Sequence, residues 1–277
     1  MIIVNDLHKK FVRHDKPGLK SVSDIVRLLG VGKKTEQVVQ AVNGVSFTAS
    51  DGQITGLLGA NGAGKTTTLR MVAALLQADS GNVMVDGVEV RAGESSTQSH
   101  MGVLSDARGL YPRLTARENI HYYGVLHGLT PEKTAQRTQQ LADSLDMRHL
   151  LDRRTDGFSQ GERMKTALAR ALVHDPKNII LDEPTNGLDV VATRALREFL
   201  RCLRSPEGGA KCIIFSTHIM QEVERLCDDV VIVAQGRNVA RGTVDELMQQ
   251  AHESNFEDAF VQLAFLEQQK PSQGGRS

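Results

Sequence analysis

Short, continuous apolar runs alternate along this chain with longer segments of helical periodicity. Three of the runs, at 178–183, 212–218 and 230–234, read "NIILDE", "CIIFSTH" and "VVIVA". Such uninterrupted runs are typical of strands in a parallel sheet that is covered on both faces. The alternation predicts an α/β core over about residues 41–105 and 165–235, with a mostly helical insert near 110–160.

Turn and capping signals divide this pattern further. The stretch "VMVDGVEV" (83–90) alternates about an Asp-Gly pair, which predicts a hairpin. In the helical insert, Thr130 precedes Pro131, the preferred order of a cap and a first helical residue. The stretch "TVDE" (243–246) is a capping box that predicts a C-terminal helix, and the polar tail is expected to be disordered.

Residues 12–40 interrupt the early strands and are interpreted as an inserted segment. Within it, residues 21–29 place their apolar positions on one helical face, and residues 12–37 carry six basic side chains against three acidic ones. Two interpretations remain open. The segment is either a short helix packed on its own domain, or a contact with a membrane partner or with anionic headgroups.

Composition argues against several classes of protein. The 33 basic residues balance 33 acidic ones, so charge favours no nucleic-acid partner. The three cysteines form no C-x-x-C pair and are interpreted as reduced thiols. The apolar runs are far shorter than the roughly 18 residues that a membrane span needs, and the N-terminus lacks a signal-peptide pattern, so we expect no membrane crossing.

A glycine-rich stretch, "GANGAGKT" (59–66), fits the phosphate-loop pattern G-x-x-x-x-G-K-[ST]. Its glycines allow the backbone to turn tightly, and the N–H groups of the loop and of the next helix point at negative charge. Lys65 is placed to reach the β- and γ-phosphates, and the Thr66 hydroxyl is a hard ligand suited to Mg²⁺. The alternative is a glycine-rich turn without a ligand.

Polar side chains follow two of the apolar runs. Asp182 and Glu183 end the run at 178–183, where an acid is able to ligate Mg²⁺ and its neighbour to polarise a water molecule. His218 ends the run at 212–218, at the same predicted sheet edge, and is interpreted as a γ-phosphate contact. Taken singly, such residues are more often an exposed acidic pair and a histidine without a chemical role.

The stretch "FSQGE" (158–162) has two interpretations. Ser159 and Glu162 have the spacing of a capping box, in which each side chain satisfies a backbone N–H. A helix N-terminus with free N–H groups is also a site for a phosphate. This short stretch by itself leaves both open.

Taken in order, "GANGAGKT", "FSQGE", "IILDEPTNGLD" and "STH" resemble the ATP-binding subunit of ABC transporters, over about residues 1–265. The resemblance implies an α/β fold: a P-loop NTPase core with a small antiparallel β subdomain and an inserted helical subdomain. It implies ATP and Mg²⁺ as cofactors and a head-to-tail dimer, of two identical chains or with a paralogous ATPase. It also implies a separate multi-span membrane permease and a peripheral location on the cytoplasmic face of the membrane.

The resemblance also assigns roles to residues. Glu183 and His218 would be catalytic. Mg²⁺ would be held by Thr66, Asp182 and Asp106. The nucleotide would be bound by Phe11, Gly59, Ala60, Asn61, Gly62, Ala63, Gly64, Lys65, Thr66 and Thr67, and by Ser159 and Gly161 of the partner chain, with Asp189 linking the two sites.

Several positions depart from the family's pattern, three of them within the serine motif. The usual serine motif is L-S-G-G-Q, and Glu162 here adds an acid near the expected triphosphate. Asp106 stands where a glutamine usually touches Mg²⁺ and couples to the permease. Phe11 falls at the position of the adenine-stacking aromatic, and its alternative is an ordinary core phenylalanine.

We interpret 1–245 as the ATPase domain, with the insertion 12–40 and a helical subdomain at about 110–160, and 246–277 as a C-terminal helix and tail. The stretches "RGLYPRLTARENIHYYGVLHGL" and "FEDAFVQL" resemble the subgroup that powers two-part exporters, most of all the sodium-efflux ATPases. The alternative is a soluble ABC ATPase acting on ribosomes or DNA. Ribosome-acting relatives usually carry two phosphate loops, and DNA-repair relatives need a long coiled coil, whereas this chain has one loop and no room for such a coil.

Overall fold

A computed structural model describes residues 1–14, 36–94, 97–105 and 109–266. The strands are β1 (Ile2–His14), β2 (Glu36–Ala49), β3 (Ile54–Leu58), β4 (Ser80–Val85), β5 (Val88–Glu89), β6 (Met101–Leu104), β7 (Asn178–Asp182), β8 (Cys212–Thr217), β9 (Asp229–Ala234) and β10 (Arg237–Gly242). The α-helices are α1 (Lys65–Val72), α2 (Ala116–Leu126), α3 (Pro131–Ser144), α4 (Gln160–Leu172), α5 (Val190–Arg204), α6 (Met220–Leu226), α7 (Val244–Ala251) and α8 (Phe256–Val261).

A six-stranded sheet forms the centre, in the order β10-β9-β3-β8-β7-β6. All its pairings are parallel except that of β10 with β9. Along β7, Ile179 and Leu181 pack on a cluster with residues of α2–α5, while Ile180 packs on a second cluster with residues of α1. Both faces of the sheet are therefore buried, which explains the uninterrupted apolar runs of the sequence.

A second sheet is antiparallel, in the order β2-β1-β4-β5. The predicted hairpin at 83–90 joins β4 to β5, and its turn residues Asp86 and Gly87 both have positive φ, at 49° and 83°. Two such residues match the tight turn that suits the twist of a hairpin. The inner face of this sheet packs on the same cluster as α1.

The two long strands of this sheet extend into the segment 12–40 that the sequence assigns to an insertion. β1 runs to His14 and β2 begins at Glu36, and Val12 pairs with Val38. The two ends of that segment therefore belong to the β1–β2 pair. Backbone hydrogen bonding between these strands continues beyond the residues whose side chains are buried. The predicted helix at 21–29 lies outside the described residues.

The helix starts follow their capping signals. Thr115 and Glu118 form a reciprocal capping box at α2, Thr130 caps α3 with Pro131 first, and a capping box opens α7. The first helix is short: it ends at Val72, and Ala74 beyond it is left-handed with φ of 59°. A short π-helical segment, Gln262–Leu266, follows α8, and the tail from 267 lies outside the described part. Among the described helices, none is long and apolar enough to cross a membrane.

Candidate functional site

Three adjacent strands bring the predicted site residues to one edge of the central sheet. β3 lies beside β8, and β8 beside β7, all in parallel. The register pairs Leu58 with Thr217 and Asp182 with Ser216. The glycine-rich loop, the acidic pair and His218 all follow these strand ends, where open α/β sheets bind ligands.

Two glycines of the loop are required by close backbone contacts. A Cβ at Gly59 would lie 2.3 Å from the carbonyl oxygen of Val233. At Gly64, φ is +106° and a Cβ would lie 2.4 Å from the carbonyl oxygen of Ala41. Any side chain at either position would therefore displace the loop. The other predicted loop residues differ in exposure: Ala60, Asn61, Gly62 and Thr66 are exposed, Thr67 is half-buried and Ala63 is buried.

Lys65 is folded back under the loop. Its side chain is 5% exposed, and Nζ donates to the carbonyl oxygens of Gly59 at 2.7 Å and of Ala60 at 3.2 Å. The same Nζ lies 3.4 Å from Oε1 of Glu183. The ammonium group is thus held at the base of the loop, next to the Glu183 carboxylate that is predicted to be catalytic.

Glu183 adopts an uncommon backbone conformation. Its φ is 50°, and its N–H donates to the carbonyl oxygen and to Oγ of Ser216, both at 3.1 Å. A non-glycine residue in this region costs free energy, and such residues cluster at functional sites. The turn aims the carboxylate at two partners: Oε2 lies 2.7 Å from Nδ1 of His218, and Oε1 faces Lys65.

Asp182 and Thr66 provide oxygen atoms that fit Mg²⁺. They line the same small cavity beside β6 and β7, and Oδ1 of Asp182 accepts a hydrogen bond of 2.5 Å from Oγ of Ser216. Carboxylate and hydroxyl oxygens are the ligands that Mg²⁺ prefers, and it usually takes few of them from protein. Within the described ranges, no group of three His, Cys, Asp or Glu side chains is arranged to hold a metal ion. Asp106 lies outside these ranges.

Ser216 is a residue to which the sequence assigned no role. It is fully buried and supports both acids, through its hydroxyl to Asp182 and its carbonyl oxygen to Glu183. Its place directly before Thr217 and His218 in a buried strand was the available signal, because strand-end residues of adjacent parallel strands meet.

The serine motif begins α4 as a complete capping box. The Ser159 Oγ accepts from the Glu162 N–H at 3.2 Å, and the Ser159 N–H donates to Oε2 of Glu162 at 2.7 Å. Gly161 is half-buried in the first turn. Glu162 therefore points back to the cap, and its other oxygen lies 2.7 Å from Nη1 of Arg153. The capping interpretation of this stretch is confirmed, and phosphate binding stays a prediction.

The segment that follows the acidic pair packs against the serine motif. Gln160 donates from Nε2 to the carbonyl oxygen of Asn186 at 3.1 Å. Gly187 has φ of +73°, and a Cβ there would lie 2.2 Å from the Gln160 side chain. Asp189 then caps α5 by accepting from the Ala192 N–H at 2.8 Å. Asp189 thus follows closely in sequence on Asn186, whose carbonyl oxygen contacts the residue next to Ser159.

Phe11 is not a core residue. It lies in β1 and is 43% exposed, with the Nζ of Lys9 5.8 Å from its ring centroid. The interpretation as an ordinary core phenylalanine is wrong, because the residue lies in the part of the β1–β2 ladder that extends beyond the packed sheet. An exposed ring leaves a face free for stacking, and its contact with adenine stays a prediction.

Comparisons with known proteins agree with this geometry. The sequence pattern of the ABC transporter family matches residues 42–186. The chain is 41% identical to the ABC transporter ATP-binding protein NatA of Bacillus subtilis, over 82% of this chain and 91% of that protein. It is 37% identical to the Nod factor export ATP-binding protein I of Burkholderia lata, over 75% of this chain and 67% of that protein.

A solved structure described as the ATP-binding subunit of an ABC transporter superposes with a TM-score of 0.76 at 26% identity, covering 95% of this chain and 99% of that chain. These relatives are transporter subunits, so they do not favour an ATPase that acts on ribosomes or DNA. With a matched family pattern, a relative of high coverage and a site built from a phosphate loop and an acidic pair, the chain belongs to the ABC transporter family, as an ATP-binding subunit that hydrolyses ATP.

Proposed function

We propose that two chains close head to tail around two ATP molecules, and that each nucleotide lies between the phosphate loop of one chain and Ser159 and Gly161 of the other. One observation carries the proposal. The Ser159 oxygen accepts its capping hydrogen bond from the Glu162 N–H, and that bond does not use the hydroxyl hydrogen, which is then able to turn toward a phosphate oxygen. Capping and phosphate binding are therefore compatible in one side chain.

Within each chain, the nucleotide half-site consists of the loop, the helix that follows it and one aromatic ring. The loop N–H groups and the N-terminus of α1 bind the phosphates, and Lys65 supplies a positive charge to them. Phe11 stacks on the adenine. The residues proposed to contact nucleotide here are Phe11, Gly59, Ala60, Asn61, Gly62, Ala63, Gly64, Lys65, Thr66 and Thr67.

Hydrolysis is assigned to the acidic pair and the histidine. Glu183 polarises the attacking water, and its two contacts, to Lys65 and His218, orient the carboxylate. His218 also faces the γ-phosphate. Thr66, Asp182 and Asp106 would hold Mg²⁺, which when bound would neutralise charge on the β- and γ-phosphates. Asp189 links the two sites across the dimer.

The transport partner is proposed to be a separate multi-span permease, with this chain peripheral to it on the cytoplasmic face of the membrane. The named relatives serve transport, and one of them export, which supports an exporter. Sodium is the proposed cargo, from the likeness to NatA alone. Copurification with a multi-span membrane protein, and loss of sodium efflux when this chain is deleted, test these two statements separately.

The shared site is tested with two inactive variants. Lys65→Ala destroys the loop of its own chain, and Ser159→Arg blocks its own serine helix by bulk, so each homodimer has two broken sites. In a mixed dimer, the loop of the Ser159→Arg chain faces the intact helix of the Lys65→Ala chain. Mixing should therefore restore some ATP hydrolysis, or trap one nucleotide per dimer if turnover needs both sites.

The same mixture identifies the other possibility. If Ser159 only caps its own helix, or serves its own loop, no mixture contains an intact site. Mixed dimers confirmed by tag pull-down, yet without hydrolysis and without trapped nucleotide, would return the serine motif to a capping role alone.

A further inference from the structure

Arg153 contacts the serine motif from the loop that precedes α4. Its Nη1 lies 2.7 Å from Oε1 of Glu162, and its guanidinium carbon lies 5.3 Å from the centroid of the buried Phe158 ring. The next residue, Arg154, forms an isolated bridge with Thr115, the cap of α2. The guanidinium is thus fixed against α4 by an ion pair and a ring contact at once.

Both oxygens of Glu162 are occupied. Oε2 accepts the Ser159 N–H at 2.7 Å and Oε1 faces Arg153. The backbone hydrogen bond from Ser159, and after it the one from the Arg153 guanidinium, lower the pKa of this carboxyl, so Glu162 is ionised at neutral pH. A full negative charge therefore stands in the first turn of the helix that is proposed to receive a γ-phosphate.

That charge presents an electrostatic problem at this helix end. A free helix N-terminus attracts an anion with roughly half an elementary positive charge, while an unpaired carboxylate in the same turn would repel it. The Arg153 side chain is half-exposed, but its guanidinium contacts the Glu162 carboxylate directly and so neutralises the charge of that carboxylate. The nearby Arg163 donates to the carbonyl oxygen of Asp156 at 3.3 Å and is turned to another partner.

We propose that Arg153 is a positioning residue for the shared ATP site: by neutralising Glu162, it keeps the N-terminus of α4 attractive to the γ-phosphate of the partner chain's ATP. The inference rests on the proposed function, because it requires that α4 receives this phosphate in trans. It also accounts for an acid at the fifth position of the serine motif.

A purely structural role for Arg153 makes a different prediction. If the ion pair only fastens the loop to α4, removing either partner breaks it, and removing both is no better. If Arg153 acts by cancelling charge, neutralising Glu162 makes it dispensable. Glutamine retains the cap, since Glu and Gln both serve at this position of a capping box.

The experiment measures association of the full chain driven by a slowly hydrolysed ATP analogue, by light scattering, for Arg153→Gln, Glu162→Gln and the double variant. Arg153→Gln should raise the analogue concentration for half-maximal association about tenfold. The double variant should return to within about twofold of wild type, since the repelling charge is gone. Affinity for ADP, which lacks the γ-phosphate, should not change in any variant.

Arg117→Gln is the matched control. Arg117 pairs at 2.8 Å with Asp152, the residue that precedes Arg153. This pair does not contact the capping box of α4, so removing the Arg117 charge should leave association unchanged. A double variant as weak as Arg153→Gln alone, or a wild-type response of Arg153→Gln, would overturn the proposal. If Arg153→Gln does not fold, Glu162→Gln alone decides. Association like that of wild type would agree with the proposal, whereas a tenfold weakening of association would mean that the carboxylate itself is needed.

The mixed-dimer test separates the two levels of failure. Without a shared site in mixed dimers, the proposed function fails and this inference fails with it. With a shared site but no rescue of Arg153→Gln by Glu162→Gln, only the role of Arg153 is refuted.

Discussion

Glu183 combines a strained backbone with two opposed side-chain contacts. One carboxylate oxygen faces the Lys65 ammonium at 3.4 Å and the other lies 2.7 Å from the His218 ring nitrogen. Occupying both oxygens fixes the plane of the carboxylate, which a single contact would leave free to rotate. At the residue scale, the left-handed φ of 50° is the local cost of this orientation.

Lys65→Ala should abolish tight ATP binding. The variant removes a charge aimed at the phosphates and also leaves the Glu183 carboxylate without its cation. Loss of one charge-assisted hydrogen bond to a phosphate predicts a rise in the Kd for ATP of at least about tenfold. Loss of the contact between Lys65 and Glu183 should raise that Kd further. Titration with a fluorescent nucleotide measures the change, with the exposed Lys133→Ala on α3 as control. Unchanged affinity in Lys65→Ala would mean that the glycine-rich loop is not the site.

Glu183→Gln should separate binding from hydrolysis. The amide keeps the size of the side chain but cannot accept a proton from water, so ATP binding should survive. The hydrolysis rate should fall by roughly 10²- to 10⁴-fold, the usual effect of losing a general base. Steady-state ATPase assays test this, with the exposed Glu224→Gln on α6 as control. A normal rate in Glu183→Gln would remove the residue from the mechanism.

At the scale of elements, three of the described helices begin with the same device. The capping boxes Thr115–Glu118, Ser159–Glu162 and Thr243–Glu246 have backbone-to-carboxylate distances of 2.8, 2.7 and 2.8 Å. Their backbone-to-hydroxyl distances are all 3.2 Å. Because the three boxes share these backbone distances, backbone capping does not distinguish the box at α4.

Ser159→Ala and Thr243→Ala should therefore agree in stability and differ in activity. Each loses one cap, which costs about 1 kcal/mol of the free energy of unfolding. Only Ser159→Ala should also lose ATP hydrolysis, because only α4 is proposed to receive a phosphate. Denaturant melts and ATPase assays on both variants test the pair. Equal activity in the two would leave Ser159 with its capping role alone.

At the scale of the whole molecule, a histidine pair joins the helical part to the sheet. His127 follows α2, His174 lies between α4 and β7, and their rings stack in parallel with centroids 3.6 Å apart. The His174 Nε2 lies 3.1 Å from the carbonyl oxygen of Met101 at the start of β6. Burial, together with the neighbouring His127, lowers the pKa of His174 to about 4.

This pair predicts a pH dependence of stability. The unfolded chain takes up a proton on His174 below its ordinary pKa of about 6.5, and the folded chain does so only near pH 4. The free energy of unfolding should thus fall, by up to about 3 kcal/mol, as pH is lowered through this window. His174→Gln should flatten the fall, while the exposed His149→Gln should retain it. Identical slopes in wild type and His174→Gln would contradict the assignment.

The sequence by itself determined the features that depend on near neighbours in the chain. The phosphate loop, the hairpin turn at Asp86 and Gly87, and the caps at Thr130, Ser159 and Thr243 follow from local turns and first-turn hydrogen bonds. The buried parallel strands were equally predictable, because two covered faces require uninterrupted apolar runs. The alternation of strands and helices was enough to predict an α/β core, and the finer architecture came from the resemblance that the four motifs carry.

Only the tertiary structure decided which distant residues meet. The strand ends indicate only that Ser216 lies near the acidic pair. Its hydrogen bonds to Asp182 and Glu183, and the pairing of Arg153 with Glu162, are visible in the structure alone. Such contacts depend on strand register and on how helices pack, which are properties of the assembled sheet and clusters. A cap forms from hydrogen bonds within the first turn of a helix, so nearby residues determine it. The charges around a cap come from segments that are distant in sequence, so they depend on the tertiary fold.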